Sequence, residues 1–330
     1  MENPAFRARR SGHRLVYNKV MIIGIVGAGN VGVSLAEALA RKGRDVLLLS
    51  DHYRGPLAFF GKKDARAFLE KCDAVVIAVR DREVRETADR LASAGADLRD
   101  RVFLHCSGAQ DSSVLASLKE GGASVGVMHP IQSFPRPDPD LLEGICLGLS
   151  GDAEALAIAE EIARILRCKI IRIKNHALYH AACVMSAGFI VTVVRLAGKT
   201  LSKASDGDWH ALLPMTKRTL ENIESMGPEK ATTGPQVRGD HDTVRAHIEA
   251  LRVLDQGLAL LYNLLSAEMS EKKEKKALDP KLLEVLACPK CKGELEYLRD
   301  EDALVCHACR LRFRIDDGIP IMLLEEAEGF

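Results

Sequence analysis

The stretch VMIIGIVGAGNVGVSLAEALARKG constrains the fold most. An apolar run ends at Val26, Gly27, Gly29 and Gly32 follow in a GxGxxG spacing, and a helical pattern continues without a break. A strand entering such a turn and a helix leaving it form the unit in which a helix N-terminus receives a pyrophosphate. The chemistry belongs to the backbone. Gly27 allows the tight turn, Gly29 lets the chain approach the anion, and Gly32 lets helix and strand pack closely. Ala28, Asn30 and Val31 complete the turn and present free N–H groups. A tight turn without a ligand is the competing explanation.

The remainder of residues 20–174 alternates short β-branched runs (DVLLLS, DAVVIAV, RVFLHC, SVGVMH, ICLGLS, KIIRI) with helical patterns. That order predicts an α/β fold with a Rossmann-type parallel sheet. DAEALAIAEEIARIL starts at Asp152, read as an N-cap. From Asn175 the β-runs stop. Residues 175–204 read as one long helix, apolar on nearly all faces, and further helical segments reach residue 270. Such a helix must be covered by neighbours or by a second subunit, so 175–270 is expected to be an all-α substrate and dimerisation domain of a homodimer. Residues 271–280 read as a charged linker and 281–330 as a small β zinc ribbon.

The 46 basic and 46 acidic side chains cancel, which removes a general pull toward nucleic acid, and none is expected to bind directly. Residues 1–19 carry five basic side chains and no apolar run, so they lack a secretory signal and read as a disordered tail or a misplaced start. The longest apolar run, AACVMSAGFIVTVV, is too short to span a bilayer, so no membrane partner is expected. Five of the nine cysteines lie outside the paired motifs without a repeating spacing, and an odd number cannot all pair, which favours a reducing cytoplasm.

Ligands of open α/β sheets sit beyond the carboxyl ends of the strands. At the end of the second strand Ser50, His52 and Arg54 suit a 2′-phosphate, whereas Asp51 repels it if it faces inward. NADP is therefore favoured, with NAD as the alternative and an exposed polar loop as the bland one. Val79 and Arg80 end the next strand, and Ser107 and Gly108 are expected near the nicotinamide. His129 either binds substrate or donates a proton, or it hydrogen-bonds the backbone of an HPIQ turn. His176 and His180, four apart, share a helix face. Carbonyl reduction leaves an alkoxide that needs a proton, and His180 is the preferred donor, against the alternative of a satisfied core histidine. Metal binding by this pair is discounted because no HExxH glutamate accompanies it.

IGIVGAGNVG, DAVVIAVRD, HCSGA and VGVMHPIQSF resemble the Rossmann domain of the 6-phosphogluconate dehydrogenase-like group, which includes pyrroline-5-carboxylate reductase and ketopantoate reductase. LYHAAC and GPQVRGDHDTVRAHIEAL more closely resemble a bacterial family known only as Rossmann-like with a C-terminal domain of unknown function. The resemblance covers about residues 20–265. It implies a nicotinamide-dependent reductase whose helical domain dimerises and closes over a small-molecule substrate. One departure stands out: relatives carry an asparagine eight residues after the YHAA histidine, where this chain has Gly188. Either Ser186 or another group replaces that amide, or the ancestral activity is lost. In VRGDHDT, Asp240 reads as an N-cap, and Arg238 either clamps a substrate carboxylate or pairs within its loop.

Cys288 and Cys291, then Cys306 and Cys309, form two CxxC pairs separated by fourteen residues. That spacing predicts one zinc ion held by four thiolates, with no open position and hence a structural role. The GELEYLRDEDALV stretch between the pairs is read as a hairpin. Residues 281–325 resemble small bacterial zinc-ribbon proteins related to the tRNA-methyltransferase activator subunit, through LLEVLACPKCKGELEY, LVC and RIDDGIPIML. The resemblance implies a protein-docking module whose edge strands and DDGIP turn make the contact. Two functions stand as expectations: an NADP-dependent reductase of a small carbonyl or imine, and a non-catalytic nucleotide-binding scaffold whose ribbon recruits a methyltransferase or translation-related partner.

Overall fold

The structure, a computed structural model, describes residues 21–270, 278, 280–298, 301–316 and 319–330. The expected N-terminal tail, most of the expected linker and the Asp317 and Gly318 positions of the DDGIP turn lie outside the described residues. Two compact units divide the chain, one ending at Val193 and the next beginning at Val194. The division falls within the long helix, not at the change of pattern near Asn175.

In the first unit eight strands form one sheet: β1 (Ile23–Val26), β2 (Val46–Leu49), β3 (Phe59–Phe60), β4 (Ala74–Ile77), β5 (Val102–His105), β6 (Ser124–Ile131), β7 (Cys146–Gly151) and β8 (Lys169–Arg172). Their order is β3-β2-β1-β4-β5-β6-β7-β8. The helices are α1 (Asn30–Arg41), α2 (Ala65–Lys71), α3 (Val84–Ala92), α4 (Ala116–Glu120) and α5 (Ala153–Ile165). Successive strand residues serve opposite faces, as the period of two requires. Val76 and Leu104 join Leu35, Leu39, Ile158 and Ile162 of α1 and α5 on one face. Val75, Ile77 and Phe103 join Phe68, Leu91 and Leu118 of α2, α3 and α4 on the other.

Three local expectations are corrected. The sheet is parallel except for β6 and β7, which run antiparallel with His129 opposite Gly148. Only a loop and a short 3-10 turn join them, and antiparallel neighbours need no helical crossover. Asp152 stands at the N-cap position of α5 but its side chain does not cap. Its carboxylate instead accepts hydrogen bonds from the Val125 amide (3.0 Å) and Lys119 Nζ (2.6 Å), tying the helix start to β6. The two-residue strand β3 was not expected from the sequence.

After β8 the chain forms one helix of 29 residues: α6 (His176–Val184), a wide π turn (Met185–Phe189) and α7 (Ile190–Ala204). By length and composition it is long enough to cross a membrane, which the fourteen-residue apolar run alone did not suggest. Asn175 caps it, its side-chain oxygen accepting from the Leu178 amide at 3.1 Å.

The second unit continues with α8 (Leu213–Met226), α9 (Pro228–Ala231), α10 (Pro235–Arg238), α11 (His241–Leu254) and α12 (Gln256–Ser270). Residues 227–239, between α8 and α11, thus hold two single-turn helices, each with proline at its start, where its missing N–H costs no hydrogen bond. Gln236 Nε2 donates to Tyr262 Oη (3.0 Å) and Ser266 Oγ (3.1 Å), and His247 Nδ1 lies 2.8 Å from the same phenol, so α10 is fixed to α11 and α12. The ribbon comprises α13 (Pro280–Val285) and strands β9 (Glu296–Leu298), β10 (Ala303–Cys306), β11 (Leu311–Asp316), β12 (Ile319–Pro320) and β13 (Glu328–Gly329). β9 and β10 pair antiparallel as the two arms of a hairpin, and Leu304, Phe313, Cys288 and Cys306 form a small buried core.

Candidate nucleotide and metal sites

The Gly-rich turn separates into two kinds of glycine. Gly27 has φ +105°, and a Cβ there would lie 2.6 Å from the Ala78 carbonyl oxygen. A Cβ on Gly32 would lie 2.1 Å from the Gly27 carbonyl oxygen. Both glycines are demanded by the protein's own packing. Gly29 is not: its φ is −77°, and nothing stands within 4 Å of a Cβ built on it. The space over Gly29, at the start of α1, is the shape a phosphate-binding turn needs. Asn30 faces elsewhere, donating from Nδ2 to the Phe134 carbonyl at 2.7 Å, while Ala28 and Val31 are half-buried against the core.

At the end of β2, Ser50 is buried and its Oγ accepts from the His52 amide at 3.1 Å. Arg54 Nη1 donates to the carbonyls of Asp51 (3.0 Å) and Tyr53 (2.7 Å), which folds the guanidinium back over this loop. Asp51 Oδ1 accepts the Lys62 amide at 2.8 Å. Beyond β4, Val79 packs beside Gly27, and Arg80 is exposed with Glu83 at 3.8 Å.

Beyond β5, Ser107 is buried while its hydroxyl has no hydrogen-bond partner among the described residues. A buried unpaired hydroxyl in a cleft is where an external polar group is expected. His105, absent from the sequence-based candidates, holds this turn: its Nδ1 accepts from the Ser107 amide (3.2 Å) and its Nε2 lies 3.1 Å from the Asp111 carbonyl. Burial lowers the His105 pKa.

His129 lies on strand β6, and its ring bonds a side chain and not the backbone of a turn. Its Nδ1 is 2.6 Å from Tyr179 Oη, the two rings meeting edge to face at 5.5 Å. Two glycines make room for the pair. A Cβ on Gly108 would lie 2.9 Å from the His129 ring, and one on Gly148 would lie 2.2 Å from Tyr179 Oη. Burial, with the charge of nearby His180 second, pulls the His129 pKa down to about 4, and burial raises that of Tyr179. At neutral pH both groups are therefore uncharged.

His176 and His180 take different roles on their shared face. His176 Nε2 is 2.9 Å from Ser150 Oγ and its Nδ1 3.2 Å from the Gly108 carbonyl, so it latches α6 to the sheet. The His180 ring stands 6.1 Å from that of His129 and has no hydrogen-bond partner among the described residues. Tyr179 and Ser150 were missed by sequence reasoning; the one available signal was the repeat of polar side chains at 176, 179 and 180 on an otherwise apolar helix. Arg238 lies in the second unit, exposed, its Nε 3.2 Å from Asp240 Oδ2. The ion pair within the loop is the arrangement found. Asp240 correspondingly makes no side-chain cap to α11.

In the ribbon the four sulfur atoms of Cys288, Cys291, Cys306 and Cys309 lie within 4.8 Å of one another. Left-handed residues Lys292 (φ 59°) and Arg310 (φ 52°) each follow the second cysteine of a pair and turn the chain back. Four converging thiols suit a tetrahedral zinc ion closed to further ligands.

Residues 9–130 match the family model of a Rossmann-like domain, residues 145–269 that of a domain of unknown function, DUF2520, and residues 279–318 that of the Trm112p-like proteins. Among solved structures, a Bacteroides fragilis protein provisionally described as an NADP oxidoreductase is 22% identical, covering 76% of this chain and 98% of its own, with a TM-score of 0.63. Protein TM1727 of Thermotoga maritima is 25% identical over the same shares, with a TM-score of 0.58. An imine reductase of Myxococcus stipitatus, in complex with NADP+, is 14% identical, covering 75% of this chain and 93% of its own, with a TM-score of 0.53. Among curated proteins, a tetraacyldisaccharide 4'-kinase of Nitrosomonas eutropha is 46% identical over 81 residues, 24% of this chain but 20% of the kinase. A UPF0434 protein of Azoarcus is 62% identical over 52 residues, 16% of this chain and 84% of that protein. Through its C-terminal segment the chain belongs to the UPF0434 family of Trm112p-like proteins, here joined in one polypeptide to a Rossmann-like domain and a DUF2520 domain.

Proposed function

We propose that the chain is an NADP-dependent oxidoreductase that reduces a small carbonyl or imine compound, and that its zinc ribbon docks a partner protein. The open space over Gly29 carries the cofactor part: the turn leaves room that no described residue fills. Gly27, Ala28, Gly29, Asn30, Val31 and Gly32 would hold the pyrophosphate, Val79 and Arg80 would flank the dinucleotide, and the Ser107 hydroxyl with Gly108 would meet the nicotinamide end. Because Asp51 is spent on the Lys62 amide, Ser50, His52 and Arg54 are left to a 2′-phosphate, which favours NADP over NAD. When bound, the reduced cofactor supplies a hydride. The chain's residues would position the acceptor and provide a proton, with His129 and His180, whose rings lie 6.1 Å apart, as its source. Arg238 would meet a substrate carboxylate only by exchanging its bond to Asp240.

A second copy would cover the helical face that the first unit leaves open, where Leu178 is 71% exposed and Val191 69%. A homodimer is favoured over a membrane as the covering partner, because His176 and Tyr179 at the head of the long helix are bonded to the sheet. In the ribbon, Cys288, Cys291, Cys306 and Cys309 would hold zinc as a structural staple. The scattered free thiols accord with the cytoplasm.

The alternative of a non-catalytic scaffold draws on Gly188, which sits in the π turn with open space where relatives carry an amide. A fluorescence titration of zinc-loaded protein with NADPH and NADH decides between them. Selective NADPH binding is expected; binding of neither cofactor would leave the scaffold.

A further inference from the structure

We infer that Tyr179 is the residue that gives the substrate its proton and that His129 replenishes it. The inference rests on the reductase reading and narrows it to one hydroxyl. Tyr179 Oη and His129 Nδ1 are 2.6 Å apart, close enough to share one proton. The pair is built with care: Gly108 and Gly148 each lack the side chain that would displace one of the two rings. One turn earlier His176 pins the same helix to Ser150 and Gly108, so the phenol does not swing with the rest of α6. The glycine that His129 packs on is the neighbour of Ser107, whose buried hydroxyl has no partner among the described residues.

The order of proton movement follows from the bonds. With its proton on Nδ1, His129 donates to Tyr179 Oη, and the phenolic O–H turns from its Cys183 neighbour to the substrate. As the carbonyl carbon accepts a hydride from reduced nicotinamide, the C=O π pair moves onto oxygen. That oxygen takes the Tyr179 proton, Tyr179 Oη takes the Nδ1 proton, and His129 takes one from water at Nε2. The sum is one NADPH and one proton consumed, one NADP+ and one alcohol formed. A phenol is a stronger acid than an alcohol, so the first transfer runs downhill, whereas an isolated neutral imidazole would donate poorly. The His180 ring lies 6.1 Å from that of His129 and has no hydrogen-bond partner among the described residues, so it would carry the proton from water to the relay.

The test uses the full zinc-loaded chain, Tyr179→Phe and His129→Gln, with 2-oxobutanoate as carbonyl probe and 1-pyrroline as imine probe. For Tyr179→Phe, kcat on 2-oxobutanoate should fall about 100-fold at nearly unchanged KM and NADPH affinity, and less than about 10-fold on 1-pyrroline, whose product needs less proton help. Independently of turnover, ¹⁵N-histidine spectra should show the His129 Nδ1 resonance displaced in Tyr179→Phe protein without NADPH. Tyr179→Phe turnover near wild type, or an unmoved Nδ1 resonance, overturns the inference and leaves the reductase standing. Wild-type protein that binds no NADPH, or reduces neither probe, overturns the reductase reading and the proton role together. His129→Gln guards against misreading: it should lower kcat on 2-oxobutanoate while NADPH binding persists, and an unchanged kcat removes His129 from the relay.

Discussion

The Asp51 carboxylate accepts the Lys62 amide at 2.8 Å and so spends itself on the chain that follows β3. In dinucleotide folds an acid at the end of the second strand grips the ribose hydroxyls and rejects a 2′-phosphate. Here that acid is occupied, and Arg54 lies folded across the same loop through bonds to two carbonyls. Arg54→Ala is expected to weaken NADPH by about 10-fold, the loss of one charge-assisted contact, and to leave NADH unchanged. Parallel fluorescence titrations measure both.

The glycines of the turn should separate stability from binding. Gly29→Ala places a methyl in open space at an ordinary φ and should leave the melting temperature within about 2 °C while abolishing NADPH binding. Gly32→Ala drives a methyl into the Gly27 carbonyl and should cost about 2 kcal/mol or more of stability. A Gly29→Ala protein that binds NADPH normally would move the cofactor elsewhere.

His129 couples stability to pH. Its pKa is lowered to about 4 in the fold, by burial first and then by His180, with His105 and His176 acting in the same direction and Asp81 opposing. An unfolded histidine titrates near pH 6.5, so between these values the unfolded chain binds more protons. Stability should therefore be full above about pH 6.5 and fall as pH drops toward 4, by up to about 3 kcal/mol from this residue. Urea denaturation at pH 7 and pH 5 should show the loss, and His129→Gln should shrink it.

Zinc should decide whether the ribbon folds and leave the nucleotide site untouched. The ribbon core is a handful of side chains, and structural zinc supplies on the order of 10 kcal/mol to such modules. Chelation, or Cys306→Ser, should open the region after residue 280 to protease while NADPH titration of the same sample is unchanged. One zinc per chain is the expected metal content before chelation.

The long apolar helix gives a hydrodynamic prediction. Phe189→Glu with Val191→Glu puts two charges on its exposed face; sedimentation is expected to report a dimer for the wild type and a monomer for the variant.

Much of the architecture was legible in local pattern. Seven of the eight strands of the large sheet, the Gly27–Gly29–Gly32 turn, the long helix from Asn175 and the two CxxC pairs announce themselves within short windows, because periodicity and backbone conformation are local properties. What escaped was set by contacts between distant residues. Nothing near Asp152 signals that its carboxylate will bond Val125 and Lys119 and not its own helix. The reversal of β7 against β6 depends on how the 132–145 loop returns, and Tyr179 finds His129 across fifty residues of sequence. Gly148 reads as an ordinary strand glycine, and Gly108 as a residue at the nicotinamide end, until the rings they accommodate are in place.

The wide turn at Met185–Phe189 bears on how this helix evolves. A π turn holds one residue more than the α-helical course needs, and each residue of a helix turns the chain by roughly 100°. Losing a single codon there would restore a regular helix and leave its course beyond the turn nearly unchanged, because the wide turn already absorbs the extra residue. One deletion would thus change which side chains line the turn around Gly188 while leaving the polar head and the distal helix in place.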